Sequence, residues 1–345
     1  MKVITIVGAG MMGSAMSLPA TDNGHAVRIV GTHLDRAVIE HARAHHEHPA
    51  MRRRLPDSVR YYQLEEMPEA LAGADLLIGG VSSFGVDWFA DTVLPLVPER
   101  LPVLSVTKGL LDLPDGTLLP FPRVLAQRAG RRLSLNAIGG PCTSYELADR
   151  RHSSVTFCGD DPAILRTLKA MLETDYYHIS LSTDVVGVEC AVAMKNAYAL
   201  GVSLAIGMLE RAEGVGCTEA YNPQAALFGQ SVREMSRMIA LVGGGAENIV
   251  YAAGDLYVTI FGGRTRKLGI LLGRGLTFAQ AQQELAGVTL ESVAIAQRTV
   301  RAMTALVARG LARQEDFPLL FHIGRLLAGA QNPPMPWAAF ETEAL

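Results

Sequence analysis

The 345-residue sequence lacks an excess of either charge. Lysine and arginine number 31 and aspartate and glutamate 34, a net charge of −3. That balance offers no basic surface to a nucleic acid, and the one local run, Arg52-Arg53-Arg54, is too short to make one. Paired cysteines are also missing. Cys142, Cys158, Cys190 and Cys217 form no CxxC motif, and three of them stand in apolar or glycine-rich surroundings. We read them as reduced, non-metal thiols of a cytoplasmic protein. There is no GxSxG elbow and no Cys–His arrangement, which removes the support for nucleophilic hydrolysis. No internal repeat and no low-complexity linker occurs. The apolar start, MKVITIVGAGMMG, breaks into glycines and reads as a strand, not a signal peptide.

What is present is apolar material. Hydrophobic residues make up 49% and charged ones 19%, enough for a sizeable core. Single cores rarely grow past ~250–300 residues, so a chain of this length is expected to form two domains. We place them at 1–182 and 183–345.

Lys2 to Val7 is a β-branched run that feeds Gly8-Ala9-Gly10-Met11-Met12-Gly13. GxGxxG alone is a weak signal, but here it follows a strand and opens a helical pattern. In that context Gly8 allows the tight turn, Gly10 lets backbone approach a pyrophosphate, and Gly13 lets helix pack on strand. The helix start adds N–H groups and a positive dipole end for the anion. The second strand, His25 to Val30, ends at Gly31-Thr32-His33 without the acidic residue that usually holds a ribose 2′-hydroxyl. Asp35 lies a little late, and Arg36 is placed to meet a 2′-phosphate. NADP is therefore expected to fit at least as well as NAD. His41 and His45 have the i,i+4 spacing of a metal pair, but no acidic motif stands beside them, and we read a solvated helix end.

Further buried strands are expected at 74–81, 101–106 and 133–138, with short ones at 154–157 and 177–181. Ligands of open α/β sheets sit outside the carboxyl ends of the strands. Ser82, Lys108 and Cys142 all follow such ends. Beyond residue 182 the pattern is helical, at 187–209, 222–242, 246–257, 278–285, 290–308 and 316–330. Gly262-Gly263-Arg264-Thr265-Arg266-Lys267 reads as a glycine turn followed by a basic cluster, either a solvated loop or a phosphate clamp.

One stretch organises the second half. Cys190 to Leu209 is apolar or small throughout except for Lys195. It has the length of a membrane span, yet Lys195-Asn196 and two glycines interrupt it and no second span exists, so a membrane is not expected. A helix apolar all round belongs in a core. A lysine there needs a partner, and burial lowers a lysine pKa toward values useful in proton transfer.

Taken together, these segments resemble the NAD(P)-dependent glycerol-3-phosphate dehydrogenases. GAGMMGSA is similar to the family's cofactor turn, SVTKG (105–109) to its lysine motif, and GGPCTSYELADRRHSSVTF (139–157) to its GP segment. ECAVAMKNAYALGVSLAIGM (189–208) resembles the E-x-x-x-A-L-K-N helix, and AGDLYVTIFGGRTRKLG (253–269) the G-D-L-x-x-T…R-N-R segment. The resemblance implies an α/β fold. It would have a doubly wound N-terminal Rossmann domain and an all-helical C-terminal domain of the 6-phosphogluconate dehydrogenase C-terminal-like kind. It implies hydride transfer between NAD or NADP and a small phosphorylated substrate, interconverting dihydroxyacetone phosphate and sn-glycerol 3-phosphate, with another polyol phosphate or a hydroxy acid as the alternative and a non-catalytic dinucleotide-binding protein a more distant one; a homodimer is allowed. Lys195 would donate the proton, Asp255 and Asn196 would orient it, and Lys108 would polarise or steer the substrate. Thr259, Gly263, Arg264 and Thr265 would hold substrate or phosphate. Gly8, Ala9, Gly10, Met11, Met12, Gly13, Thr32, Arg36, Ser82, Cys142 and Arg264 would line the cofactor site.

The chain departs from the family pattern in three places. Thr265 stands where the family has Asn, Cys142 where it has Ser or Thr, and the stretch near Thr289 lacks an expected Lys or Gln. A threonine hydroxyl donates one hydrogen bond where an amide offers two, so the phosphate is expected to sit differently.

Overall fold

The computed structural model describes residues 1–217, 220–288 and 290–340, and Thr289 lies outside them. The chain forms two compact units, one of residues 1–108 and 120–189, the other of 109–119 and 190–345.

The first unit is built on an eight-stranded sheet. Its strands are β1 (Val3–Val7), β2 (Ala26–Val30), β3 (Arg60–Tyr62), β4 (Leu76–Gly79), β5 (Val103–Ser105), β8 (Leu135–Gly139), β9 (Ser153–Cys158) and β10 (Tyr177–Ser182). Two further pairs of strands lie between them in sequence, Glu47–His48 with Arg53–Arg54 and β6 (Leu110–Asp112) with β7 (Leu118–Pro120), and each pairs only within itself. The order across the sheet is β10-β9-β8-β5-β4-β1-β2-β3. All pairings are parallel except β8 with β9. Parallel strands covered on both faces read as unbroken apolar runs, and β1 and β4 are buried accordingly. The sequence places seven of the eight strands. It misses β3, a three-residue piece whose identity comes from pairing with β2.

The second unit is helical. Its main helices are α2 (Val185–Glu213), α3 (Tyr221–Leu241), α4 (Ile249–Ile260), α5 (Gly263–Gly273), α6 (Glu291–Ala308) and α7 (Pro318–Leu327), with α1 (Met11–Ala15) belonging to the first unit. α2 is long and apolar enough to cross a membrane, but 72% of its most apolar window is buried inside the protein. Residues 109–119 fold onto this unit. Arg298 of α6 donates to the Leu110 carbonyl at 3.0 Å, and Arg301 forms a two-pronged pair with Asp112.

Two further features fix the helices. Glu234 of α3, fully buried, accepts hydrogen bonds from Tyr198 of α2, from Gln230, and from the backbone N–H groups of Leu319 and Leu320 in the first turn of α7. One carboxylate thus ties three helices and satisfies a helix N-terminus that would otherwise be buried and unpaired. Burial still raises its pKa.

α2 and α5 meet backbone to backbone. A Cβ at Gly269 would lie 2.5 Å from the Leu200 carbonyl oxygen, one at Gly273 2.3 Å from that of Leu204, and one at Gly207 2.0 Å from that of Ile270. Any side chain there would force the helices apart. α5 is also the element that the sequence pattern does not show. Gly262 to Lys267 is no turn and loop; Gly262 caps a helix that begins at Gly263. Gly-Gly-Arg-Thr has poor intrinsic helix propensity, and burial of Leu268, Gly269, Leu272 and Gly273 overrides it.

Candidate functional site

In the first unit the glycine turn is shaped by steric exclusion. Gly8 has φ +108°, and a Cβ there would sit 2.7 Å from the carbonyl carbon of Gly80. A Cβ at Gly13 would sit 2.4 Å from the Gly8 oxygen. These two glycines are required by the protein itself. Gly10 is different: a Cβ there would meet nothing closer than 3.7 Å. The space beside Gly10 is left open, as close approach of a pyrophosphate to backbone demands. Met11 is exposed and Met12 packs on the core, so the turn offers backbone, not side-chain polarity.

Two side chains hold this turn, and neither role is visible in the sequence. Buried His48 lies with Nε2 3.0 Å from the Ala9 carbonyl oxygen, while its Nδ1 accepts from the Met51 N–H at 3.0 Å. Nδ1 is therefore the unprotonated nitrogen and Nε2 donates to Ala9. Burial lowers the pKa of this imidazole and keeps it neutral. Asp35 reaches back from beyond β2. Its carboxylate accepts from the Thr32 N–H (2.8 Å), the Thr32 hydroxyl (2.7 Å) and the Ala9 N–H (3.2 Å). A carboxylate thus does stand at the end of the second strand, brought there by a turn. Arg36 is exposed and pairs with Glu65.

The other first-unit residues gather at the carboxyl ends of the strands. Ser82 follows β4, and its carbonyl accepts from the Gly85 N–H at 2.9 Å. Lys108 follows β5 and donates to the Gly140 carbonyl, after β8, at 2.7 Å. Half-buried Cys142 packs against the core.

In the second unit Lys195 of α2 forms an ion pair with Asp255 of α4. The Asp255 side chain is 1% exposed and that of Lys195 14%. The ammonium therefore keeps an accessible edge while its counter-charge is sealed. Asn196 lies half-buried next to it. The Thr259 hydroxyl donates to the Asp255 carbonyl at 2.7 Å, so its proton is committed and only its lone pairs can serve a ligand.

The corner from α4 to α5 is stabilised by Arg266, which donates to the Ile260 carbonyl at 2.8 Å and caps the end of α4. Arg264, in the first turn of α5, is exposed and has no ion-pair partner among the described residues. A Cβ at Gly262 or Gly263 would meet nothing within 4 Å, and Gly263 has φ +82°. This helix start is open to an anion. The contacts of α2 with α5 advance in step, Leu200 against Gly269 and Leu204 against Gly273.

The described part of the chain matches two family models. Residues 3–164 match the N-terminus of NAD-dependent glycerol-3-phosphate dehydrogenase, and residues 184–336 its C-terminus. The NADP(+)-dependent glycerol-3-phosphate dehydrogenase of Archaeoglobus fulgidus is 33% identical over 285 residues, 82% of this chain and 83% of that one. A glycerol-3-phosphate dehydrogenase [NAD(P)+] of Stenotrophomonas maltophilia is 28% identical over 336 residues, 96% of this chain and 92% of that one. Among solved structures, the glycerol-3-phosphate dehydrogenase of Coxiella burnetii shares the fold with a TM-score of 0.77 at 23% identity, covering 98% and 97% of the two chains. That of Saccharomyces cerevisiae does so with 0.79 at 19%, covering 99% of each.

The buried pair yields a stability prediction. Removing the carboxylate strands an ammonium in a mostly dry site, so Asp255→Ala should cost about 3–5 kcal/mol in urea unfolding. The double replacement Asp255→Leu with Lys195→Met should recover most of that loss. Equal losses in single and double variants would show that the two charges do not depend on each other.

Proposed function

The chain belongs to the NAD-dependent glycerol-3-phosphate dehydrogenase family, and from that premise we propose how its residues interconvert dihydroxyacetone phosphate and sn-glycerol 3-phosphate. It is an NAD(P)-dependent oxidoreductase acting on a CH–OH donor. The observation that carries the residue assignment is the Lys195–Asp255 pair, with the carboxylate sealed and the ammonium left an accessible edge.

The pyrophosphate would approach the backbone beside Gly10 and the N–H groups at the start of α1, in a turn shaped by Gly8 and Gly13, with His48 and Asp35 holding the Ala9 backbone groups. NAD(P)H, when bound, supplies the hydride. The phosphate of the substrate rests on the first turn of α5, against Arg264 and the Gly263 and Thr265 amides. Lys195 then faces the carbonyl. In the reductive direction its ammonium polarises that oxygen and gives it a proton as the alcohol forms, and solvent later returns a proton to the amine. In the oxidative direction the neutral amine accepts the hydroxyl proton. Asp255 positions Lys195 and balances its charge. Lys108, anchored on Gly140, adds a second cation at the carboxyl ends of the strands. Asn196, the next residue on α2, helps to orient Lys195. Ser82 and Cys142 border the cofactor on the remaining strand ends. The balanced net charge and the burial of α2 fit a small-molecule enzyme with no use for nucleic acid or membrane.

Both nicotinamide cofactors are expected to serve. The Asp35 carboxylate is already engaged with Thr32 and Ala9, and Arg36 is held only by a surface pair, a weak bond that a 2′-phosphate can displace. Following NADPH and NADH oxidation with dihydroxyacetone phosphate tests the function directly. We expect turnover with both and kcat/KM for NADPH at least equal to that for NADH. A strong preference for NADH would mean that Asp35 reaches the ribose.

Lys195→Ala should lower kcat by ~10²–10⁴-fold, the usual worth of a positioned acid, with dinucleotide affinity unchanged. Near-normal turnover would remove Lys195 from the chemistry. Arg264→Ala should raise KM for dihydroxyacetone phosphate by ~10–100-fold, the worth of a charged hydrogen bond. Unphosphorylated dihydroxyacetone should be little affected. Equal effects on both substrates would place Arg264 away from the phosphate.

A further inference from the structure

The helical unit encloses a second candidate site that the reaction does not use. A cavity of about 390 Å³ lies among α2, α5, α7 and the C-terminal stretch 331–340. That volume is within the ~300–1,000 Å³ of small-molecule sites. Its wall on α2 is Leu204 and Met208, ~14 and ~20 Å along the helix axis from Lys195 at 1.5 Å per residue. Leu272, Leu326 and Trp337 complete an apolar lining.

Three polar residues, His322, Arg211 and Asn332, interrupt that lining. His322 of α7 is 3% exposed. Its Nδ1 faces the Arg325 guanidinium at 3.3 Å. A guanidinium only donates, so Nδ1 accepts and the ring proton is on Nε2. Nε2 has no protein partner among the described residues, and the ring lines the cavity. Burial, with help from the Arg325 charge, lowers the imidazole pKa to about 4, so at neutral pH the ring is an uncharged N–H donor. Arg211 lies at the exposed edge of the same cavity. Its one hydrogen-bond partner is the Asn332 side-chain oxygen, and it has no carboxylate partner among the described residues.

We propose that this cavity binds an anionic amphiphile, a monocarboxylate with an apolar chain of medium length. The carboxylate takes the Arg211 guanidinium and the His322 Nε2–H, and the chain lies against Leu204, Leu272 and Leu326. A guanidinium and one N–H match the two oxygens and the single charge of a carboxylate. The apolar walls leave a purely polar ligand without compensation for its desolvation.

The sequence contains two tryptophans, Trp88 and Trp337. In a Trp88→Phe background Trp337, on the cavity wall, is the sole indole reporter. Titration of the full chain with decanoate should shift its emission saturably. His322→Phe and Arg211→Gln should each raise the decanoate Kd at least tenfold, and decanol should bind at least tenfold more weakly than decanoate. Arg211 is at the rim, so its replacement keeps the test open if His322→Phe fails to fold. A lack of saturable response, equal binding of decanol, or a Kd unchanged by Arg211→Gln would overturn the proposal. None of these readings involves turnover, so they are independent of the catalytic assignment.

Discussion

The structure of the helical unit is constrained by one ion pair, Lys195 with Asp255. Two charges taken out of water lose several kcal/mol of hydration each, and mutual attraction restores it only when geometry is good. Good geometry here means that α2 and α4 hold one register and one rotation. A slip of a single residue on either helix would turn a charge into the apolar core. Asp255 is buried far more completely than Lys195. The asymmetry makes chemical sense. A carboxylate that serves only as counter-charge can be sealed, whereas in the proposed reaction the ammonium exchanges a proton and needs its open edge.

The second constraint is the glycine seam between α2 and α5. Three glycines let carbonyl oxygens of one helix touch the backbone of the other. Side-chain packing tolerates substitutions of similar volume, but backbone contact does not. The seam thus fixes the height of α5 along α2 more tightly than leucines would. That height decides where the open start of α5 falls relative to Lys195.

Much of this was legible in the sequence where the signal is local. β1 and the glycine turn are adjacent in the chain, so strand, turn and helix start can be read from thirteen residues. Lys195 stands out because it is the lone charge in the apolar stretch from Cys190 to Leu209. What depends on distant partners was not legible locally. Asp255 is sixty residues from Lys195, and only the family resemblance pairs them. His48 looks like one of four clustered histidines until its ring is seen against Ala9. β3 takes its structure from β2, and residues 109–119 join the second unit through arginines nearly two hundred positions away. Helix α5 is hidden by its own Gly-Gly start, since its stability comes from burial and not from propensity.

The two halves of the chemistry are built from different materials. The dinucleotide turn is backbone, with glycines required by steric exclusion at Gly8 and Gly13 and by ligand approach at Gly10. Backbone N–H groups suit a pyrophosphate because its charge is fixed and never has to move. In the proposed reaction the second unit uses charged side chains because a proton moves. The segment from Asp255 to Arg266 concentrates that work in twelve residues. Asp255 holds the ammonium, Thr259 bonds back to the Asp255 carbonyl, Arg266 closes the end of α4, and Gly262 and Gly263 open the start of α5. Thr259 and Arg266 stabilise the corner, which leaves Arg264 and the first amides of α5 for the anion. A residue's place in the G-D-L-x-x-T…R segment therefore does not by itself make it a ligand contact. Half of the segment builds the corner on which the other half works.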